Sequence, residues 1–187
     1  MAEIEFKIEA KGIEKVERAI RILDNLGLDT KPLMQKLGED MRGIVDRNFE
    51  AEGRPNRWKP RSPITNMIYG LAAMKRERQT KRYQNAKGAA AKAKILGKAA
   101  LKARRNLILS LSGDLKKKIT VETQVNQVKI GAPESVKYAR IHQFGGMAGR
   151  GRKVRIVARP YLVVPDSEVG LLQDTALGYV KRTVLRI

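Results

Sequence analysis

The stretch Tyr138-Ala139-Arg140-Ile141-His142-Gln143-Phe144-Gly145-Gly146 carries more of this chain's architecture than any other. Tyr138, Ile141, His142 and Gly145 fall at i, i+3, i+4 and i+7, one face of two short helical turns, and Gly145-Gly146 ends them. Met147-Ala148-Gly149-Arg150-Gly151-Arg152-Lys153 follows as a glycine-dense basic loop. It lacks the third glycine of a dinucleotide fingerprint and the Gly-Lys-Ser/Thr ending of a P-loop, which argues against nucleotide binding. Ordering so many glycines is entropically costly, so the loop reads as a segment ordered on assembly, with contact to a phosphate strand as the second reading. Beyond it, Lys153 to Ala158 alternates through Val154, Ile156 and Ala158, and Tyr161 to Val164 continues as strand after Pro160.

Outward from this stretch, both period-2 and helical patterns recur. Ile119, Val121 and Thr123 alternate, as do Val128 and Ile130, with Gln124-Val125-Asn126 as a short hairpin connection. Ile4 to Ala10 alternates strictly and predicts a half-buried strand. Ile13, Val16, Ile20 and Leu23 predict a helix stopped at Gly27. A second helix opens at Asp29 or Thr30, tolerates Pro32 in its first turn, and carries Leu33, Leu37, Met41, Ile44 and Val45 to an end near Phe49. Residues 52–63 hold Gly53, Pro55, Pro60 and Pro63 and form an extended loop anchored by Trp58. A last helix starts at Asp166 as cap, with Glu168 in its first turn, Lys181, Arg182 and Arg186 near its end, and Leu172, Ala176, Tyr179 and Val180 facing the core. The order predicts an α+β fold: a small, mostly antiparallel sheet packed with helices.

Charge is the second strong feature. The 187 residues carry a net charge of +20, unevenly placed. Residues 72–106 hold twelve Lys/Arg against one acid, Glu77. Among them are Lys75, Arg76, Arg78, Lys81 and Arg82, then Lys92, Lys94, Lys98, Lys102, Arg104 and Arg105. With Arg150, Arg152 and Lys153 of the glycine loop, these are the expected contacts to an anionic partner. Good helix formers dominate 72–106, interrupted by Gly88 and Gly97. As one helix the segment would reach ~50 Å, so it predicts a protruding basic arm, helical at least in part, inserted in a single body of residues 1–71 and 107–187.

Other classes of chemistry find little support. No cysteine and a single histidine, His142, leave no disulfide framework, thiolate site or familiar zinc site, and no cofactor is expected. His142 with Ser110 or Ser112 as nucleophile and Asp114 as orienter lacks a nucleophile elbow, so an enzyme is not expected. The acids are scattered rather than clustered as a two-metal nuclease needs. The start Met1-Ala2-Glu3-Ile4-Glu5 lacks a signal-peptide pattern, and no run approaches the roughly 20 apolar residues of a membrane span, so a soluble protein made in a cytoplasm is expected.

The opening stretch, Arg159-Pro160-Tyr161-Leu162, Phe49, Gly53, Pro55, Trp58, Pro60, the Ser62/Thr65 segment and Ser112-Gly113-Asp114-Leu115 together resemble the phage virion-morphogenesis, or tail-completion, family of Mu-like and other contractile-tailed phages. The resemblance spans roughly residues 30 to 165. It implies a structural virion protein that acts by assembly, in tail completion or head–tail joining, as a tail-terminator or neck ring subunit. The ring would be homo-oligomeric and commonly sixfold. Neighbours would be tail-tube, terminator or neck/connector proteins, close to genomic DNA, with no membrane. The place implied is the virion tail or head–tail junction, assembled in the host cytoplasm. It also implies an interface of Tyr138, Ile141, His142, Gln143, Phe144, Gly145 and Gly146 with Arg159, Pro160, Tyr161 and Leu162. Trp58 joins that set, although a loop anchor packed on the body is its plainer reading. The length and charge of residues 72–106 depart from the family pattern. They keep open an alternative, a non-specific nucleic-acid-binding architectural protein, for which Tyr83 alone would offer base stacking in that segment.

Overall fold

The computed structural model describes residues 12–105, 108–109, 113–149, 151 and 153–185. The strand expected over Ile4–Ala10 lies outside the described residues, as do Leu107, Ser110, Ser112, Arg150, Arg152 and Arg186. In chain order the helices are α1 (Glu14–Asn25), α2 (Lys31–Glu50), α3 (Pro63–Glu77), α4 (Lys81–Gln84), α5 (Ala89–Arg105), α6 (Asp114–Lys117), α7 (Ala139–Phe144) and α8 (Asp166–Val184). The strands are β1 (Thr120–Gln124), β2 (Gln127–Gly131), β3 (Gly146–Ala148) and β4 (Val154–Ile156). The chain divides into two compact units, Met1–Trp58 with Asp114–Ile187, and Lys59–Gly113.

In the first unit, α1, α2 and α8 bury one cluster: Val16, Ala19 and Leu23, then Leu33, Met34, Leu37 and Ile44, then Leu172 and Ala176. Each fully buried aliphatic side chain there stabilises by about 1.5–3 kcal/mol. Gly27, at φ +65°, ends α1 in a Schellman motif. Its N–H donates to Asp24 O at 2.9 Å, and Leu28 N–H donates to Leu23 O at 2.9 Å. Asp29 Oδ1 accepts from Lys31 N at 2.9 Å and opens α2, as its position in the sequence suggests. Thr30 turns its buried hydroxyl elsewhere, accepting from Asn126 N at 3.3 Å, which ties the β1–β2 turn to the start of α2. That hairpin packs so closely that a Cβ on Gly38 of α2 would lie 2.6 Å from Val121 Cγ1. Arg42 of α2 fastens its entry, donating to Lys116 O at 2.9 Å and to Ile119 O.

The α+β organisation holds, with more helix than the patterns suggest and two separate two-stranded antiparallel sheets. Gln124 pairs with Gln127, so the first turn is Val125-Asn126 alone, with Asn126 at φ +61°. The alternation over Lys153–Ala158 yields strand only at Val154–Ile156, paired with Gly146–Ala148 across the basic glycine loop. Tyr161–Val164 is not a strand. Asp166 is the first residue of α8 rather than its cap; Pro165 occupies the cap position without a side-chain bond.

In the second unit, Ser62 caps α3 by accepting from Thr65 N at 3.1 Å, with Pro63 in the first turn. Thr80 caps α4 by accepting from Tyr83 N at 3.3 Å, and Gly88 at φ +82° precedes α5. These breaks fold the segment into a helical hairpin in which α3 packs on α5. Gly70 gives close approach, since a Cβ there would meet Arg104 Nε at 3.4 Å and Ala100 Cβ at 3.6 Å. Arg61 donates to Arg104 O at 2.9 Å and lies over the Tyr69 ring at 5.2 Å. Gly97, expected as an interruption, sits inside α5.

Candidate assembly interface

The motif residues of the loop after α2, of α7 and of the segment after β4 converge around Tyr161. Phe49, at the end of α2, stands edge-on to Trp58 with ring centroids 5.7 Å apart and contacts Tyr161 at 5.4 Å. Trp58 Nε1–H donates to Pro160 O at 2.9 Å, which fixes the indole while its rings are buried. Gly53, at φ +109°, lets the loop turn beneath it: a Cβ there would meet Trp58 Cδ1 at 2.6 Å and Asn56 O at 2.7 Å. No other residue type fits that position without displacing backbone.

Two buried amides organise the segment that fails to become a strand. Gln143 Oε1 accepts from Tyr161 N at 2.9 Å and from Leu162 N at 3.0 Å, so two successive N–H groups converge on one oxygen, which an extended strand does not allow. Asn48 Nδ2, from α2, donates to Tyr161 O at 3.0 Å and Val163 O at 2.8 Å. Side chains therefore replace a sheet ladder, and the backbone groups stay satisfied. Arg54 Nε donates to Asn48 Oδ1 at 3.0 Å, and its Nη1 pairs with Glu168. Arg47 completes a fork on Glu168, with contacts of 3.1 and 2.8 Å. The hydrogen bond from Arg47, then that from Arg54, holds the Glu168 carboxyl below its ordinary range against the opposing effect of burial. Burial pushes the Tyr161 phenol up to about 12; its hydroxyl donates to Ala139 O at 3.3 Å.

The buried face of α7 is Ala139 and Gln143, one residue around from the Tyr138/Ile141/His142 face read from spacing. His142 keeps a buried Nδ1 without a hydrogen-bond partner, and its ring meets Tyr138 edge-on at 5.7 Å. Burial, then the Arg159 charge, lowers its affinity for a proton. Its carbonyl accepts from Arg159 N at 2.6 Å. Gly145, at φ +72°, lets α7 end against the β4 side, where a Cβ would lie 2.9 Å from Ala158 N.

The expected interface residues thus separate into two sets. Trp58, Gln143, Tyr161 and Leu162 are buried within the unit, and Ile141, Gly145, Arg159 and Pro160 are half-buried. Tyr138, Phe144 and Gly146 are exposed, and Met147, Val154 and Val157 nearby are exposed apolar residues that spacing alone passed over. Of the basic residues, Lys75, Arg76, Arg78, Lys81, Arg82, Lys94, Lys98, Lys102, Arg104, Arg105 and Lys153 are exposed. Lys92 is half-buried over the Tyr83 ring at 5.6 Å. Asn48, Arg54 and Glu168 were missed as organisers; the available signal was a polar residue four positions after Ile44, inside the apolar stripe of α2. Among the described residues no group of three or more His, Cys, Asp or Glu is placed to hold a metal, and no helix is long and apolar enough to cross a membrane.

Residues 12–181 match the phage virion morphogenesis family. The chain belongs to that family. It is also 31% identical, over 169 residues, to a protein of Haemophilus influenzae named Mu-like prophage FluMu G protein 2, covering 90% of this chain and 91% of that one. No solved structure matches the chain. Membership spans both units, so the basic hairpin falls within the matched length. A virion morphogenesis family is structural and generally non-enzymatic, which fits a site whose polar groups are directed at the chain's own backbone.

Proposed function

We propose that this chain is a ring-forming subunit of tail completion or head–tail joining, which works by docking to its own copies and to neighbouring virion proteins. The observation that carries the reading is the surface of α7, β3 and β4. Phe144, Met147 and Val154 are each more than half exposed there, on a base held by Gln143, Trp58 and Gly145. Burying an exposed aromatic and two aliphatic side chains on an already ordered base favours association without a large ordering cost. A ring needs two different complementary patches per subunit, and this surface is one of them. The buried motif residues then act as its support, while Tyr138 and Phe144 make the contact. No chemical step is involved, and the place of action is the tail or the head–tail junction. Light scattering of the purified chain, alone and with tail tubes, tests the reading. A closed oligomer, sixfold on this reading, that Phe144→Asp reduces to folded monomer is the expected result; a strict monomer that ignores tail tubes contradicts it.

A second reading, sequence-independent binding of nucleic acid, draws on the exposed row Lys94, Lys98, Lys102, Arg104 and Arg105 of α5. It is weaker because Tyr83, the segment's aromatic, is half-buried under Lys92 and is not presented as a stacking platform. Filter binding across a salt series separates the two. Micromolar affinity near physiological salt with a steep salt slope favours nucleic acid.

A further inference from the structure

Helix α3 uses one side to pack and leaves the other bare. It meets α5 through Gly70, which lies against Ala100 and Arg104, and through Ala73 and Glu77 of the cleft shared with Ala99 and Ala103. At 3.6 residues per turn, Ile64, Ile68, Leu71, Lys75 and Arg78 stand on the opposite side. Their spacing of four, three, four and three is that of a heptad seam. All five are exposed, and Met67 beside them is exposed as well. Ile64, Met67, Ile68 and Leu71 are each more than half open to solvent. A surface helix ordinarily turns polar residues outward at these positions. The seam is thus apolar for two turns and then cationic.

That order selects the occupant. A second copy in parallel would set Lys75 on Lys75 and Arg78 on Arg78. A full antiparallel overlap would press Ile68 against Lys75 and Ile64 against Arg78, burying cations without counter-charge. An antiparallel overlap of the apolar turns alone leaves Lys75 and Arg78 of both copies without a counter-charge. A nucleic-acid backbone meets the cations but offers nothing to cover four aliphatic side chains. A helix with apolar residues at the same spacing, followed by carboxylates, satisfies both halves. We propose that the outer face of α3 is a docking seam for an acidic amphipathic helix of a different protein. Leucine-like residues of that helix cover Ile64, Met67, Ile68 and Leu71, and its Asp or Glu side chains pair with Lys75 and Arg78. The seam belongs to the Lys59–Gly113 unit and the α7–β4 surface to the other, and the proposal does not depend on the ring reading.

The test places a benzophenone amino acid at Ile68, and separately at Leu71, in the full chain expressed during particle assembly. Both positions are exposed, so each variant is expected to melt with the wild type. Irradiation should yield adducts to one protein other than this chain, at a helix with heptad-spaced apolar residues and neighbouring carboxylates. Lys75→Glu should cut the adduct yield by about tenfold, the equivalent of about 1.4 kcal/mol. Reversing the facing carboxylate of the partner to Lys should restore it. Adducts to a second copy, to nucleic acid or to a basic segment overturn the proposal, as does the absence of adducts from both positions. A wild-type chain that stays strictly monomeric and ignores tail tubes, with these adducts intact, would leave the seam standing and overturn only the ring reading.

Discussion

Asn48 and Gln143 lie inside the Met1–Trp58/Asp114–Ile187 unit and aim their amides at backbone; Ile64, Ile68 and Leu71 lie outside on the Lys59–Gly113 unit and face solvent. Each set reverses the burial its residue type usually has. In the first unit, polar groups fix a segment of chain that has no strand partner, so their value is geometric. In the second, exposed apolar groups stand on the side of α3 away from Gly70 and α5, and on the proposed docking their value lies in a partner helix. Comparing the two separates residues that shape the molecule from residues held for a neighbour.

Substitutions can break or sharpen that contrast. Trp58→Ala should lose about 4 kcal/mol of unfolding free energy in urea, because it empties the pocket against Phe49 and removes the Trp58–Pro160 hydrogen bond. Asn48→Ala and Gln143→Ala should each lose about 2–3 kcal/mol, because each strands buried partners. Both hold Tyr161, so the double variant should lose less than the sum of the two. Glu168→Gln should lose about 1–2 kcal/mol, discounted because Arg47 is 43% exposed. The Glu168 carboxyl is depressed in the folded chain, so its contribution is whole above the ordinary carboxylate range and drains as pH falls through the folded value. Denaturation midpoints from neutral to acid pH should therefore fall less steeply in Glu168→Gln. His142 is also depressed when folded, so stability should be retained above about pH 6.5 and decline below it. His142→Leu should remove that small step. Ile68→Ser and Leu71→Ser should change stability by no more than about 0.5 kcal/mol. A loss in either that rivals Trp58→Ala would erase the contrast.

Much of the framework is legible in the sequence, because α1, α2 and α8 carry clean helical stripes and β1–β2 alternates on both sides of a turn. The failures have specific causes. Tyr161–Val164 alternates like a strand, but the N–H groups of Tyr161 and Leu162 are both taken by one side-chain oxygen, Gln143 Oε1, which periodicity cannot foresee. On a helix as short as α7, the Tyr138/His142 and Ala139/Gln143 faces differ by one residue, and only the packing of Gln143 chooses between them. The helical hairpin runs from α3 to α5, broken at the Thr80 cap and at Gly88, and the length and charge of residues 72–106 carry no signal that its first helix starts at Pro63. The buried role of Trp58 follows the plain reading of a loop anchor.

Amide hydrogen exchange, compared between the free chain and the assembled particle, bears most directly on the claim that the buried motif is an internal support for an exposed gripping surface. The Tyr161 and Leu162 amides should be protected in the free chain already and change little, while Phe144–Val157 gains protection on assembly. Rapid exchange at Tyr161 and Leu162 in the free chain, slowed only in the particle, or no change across Phe144–Val157, would contradict it.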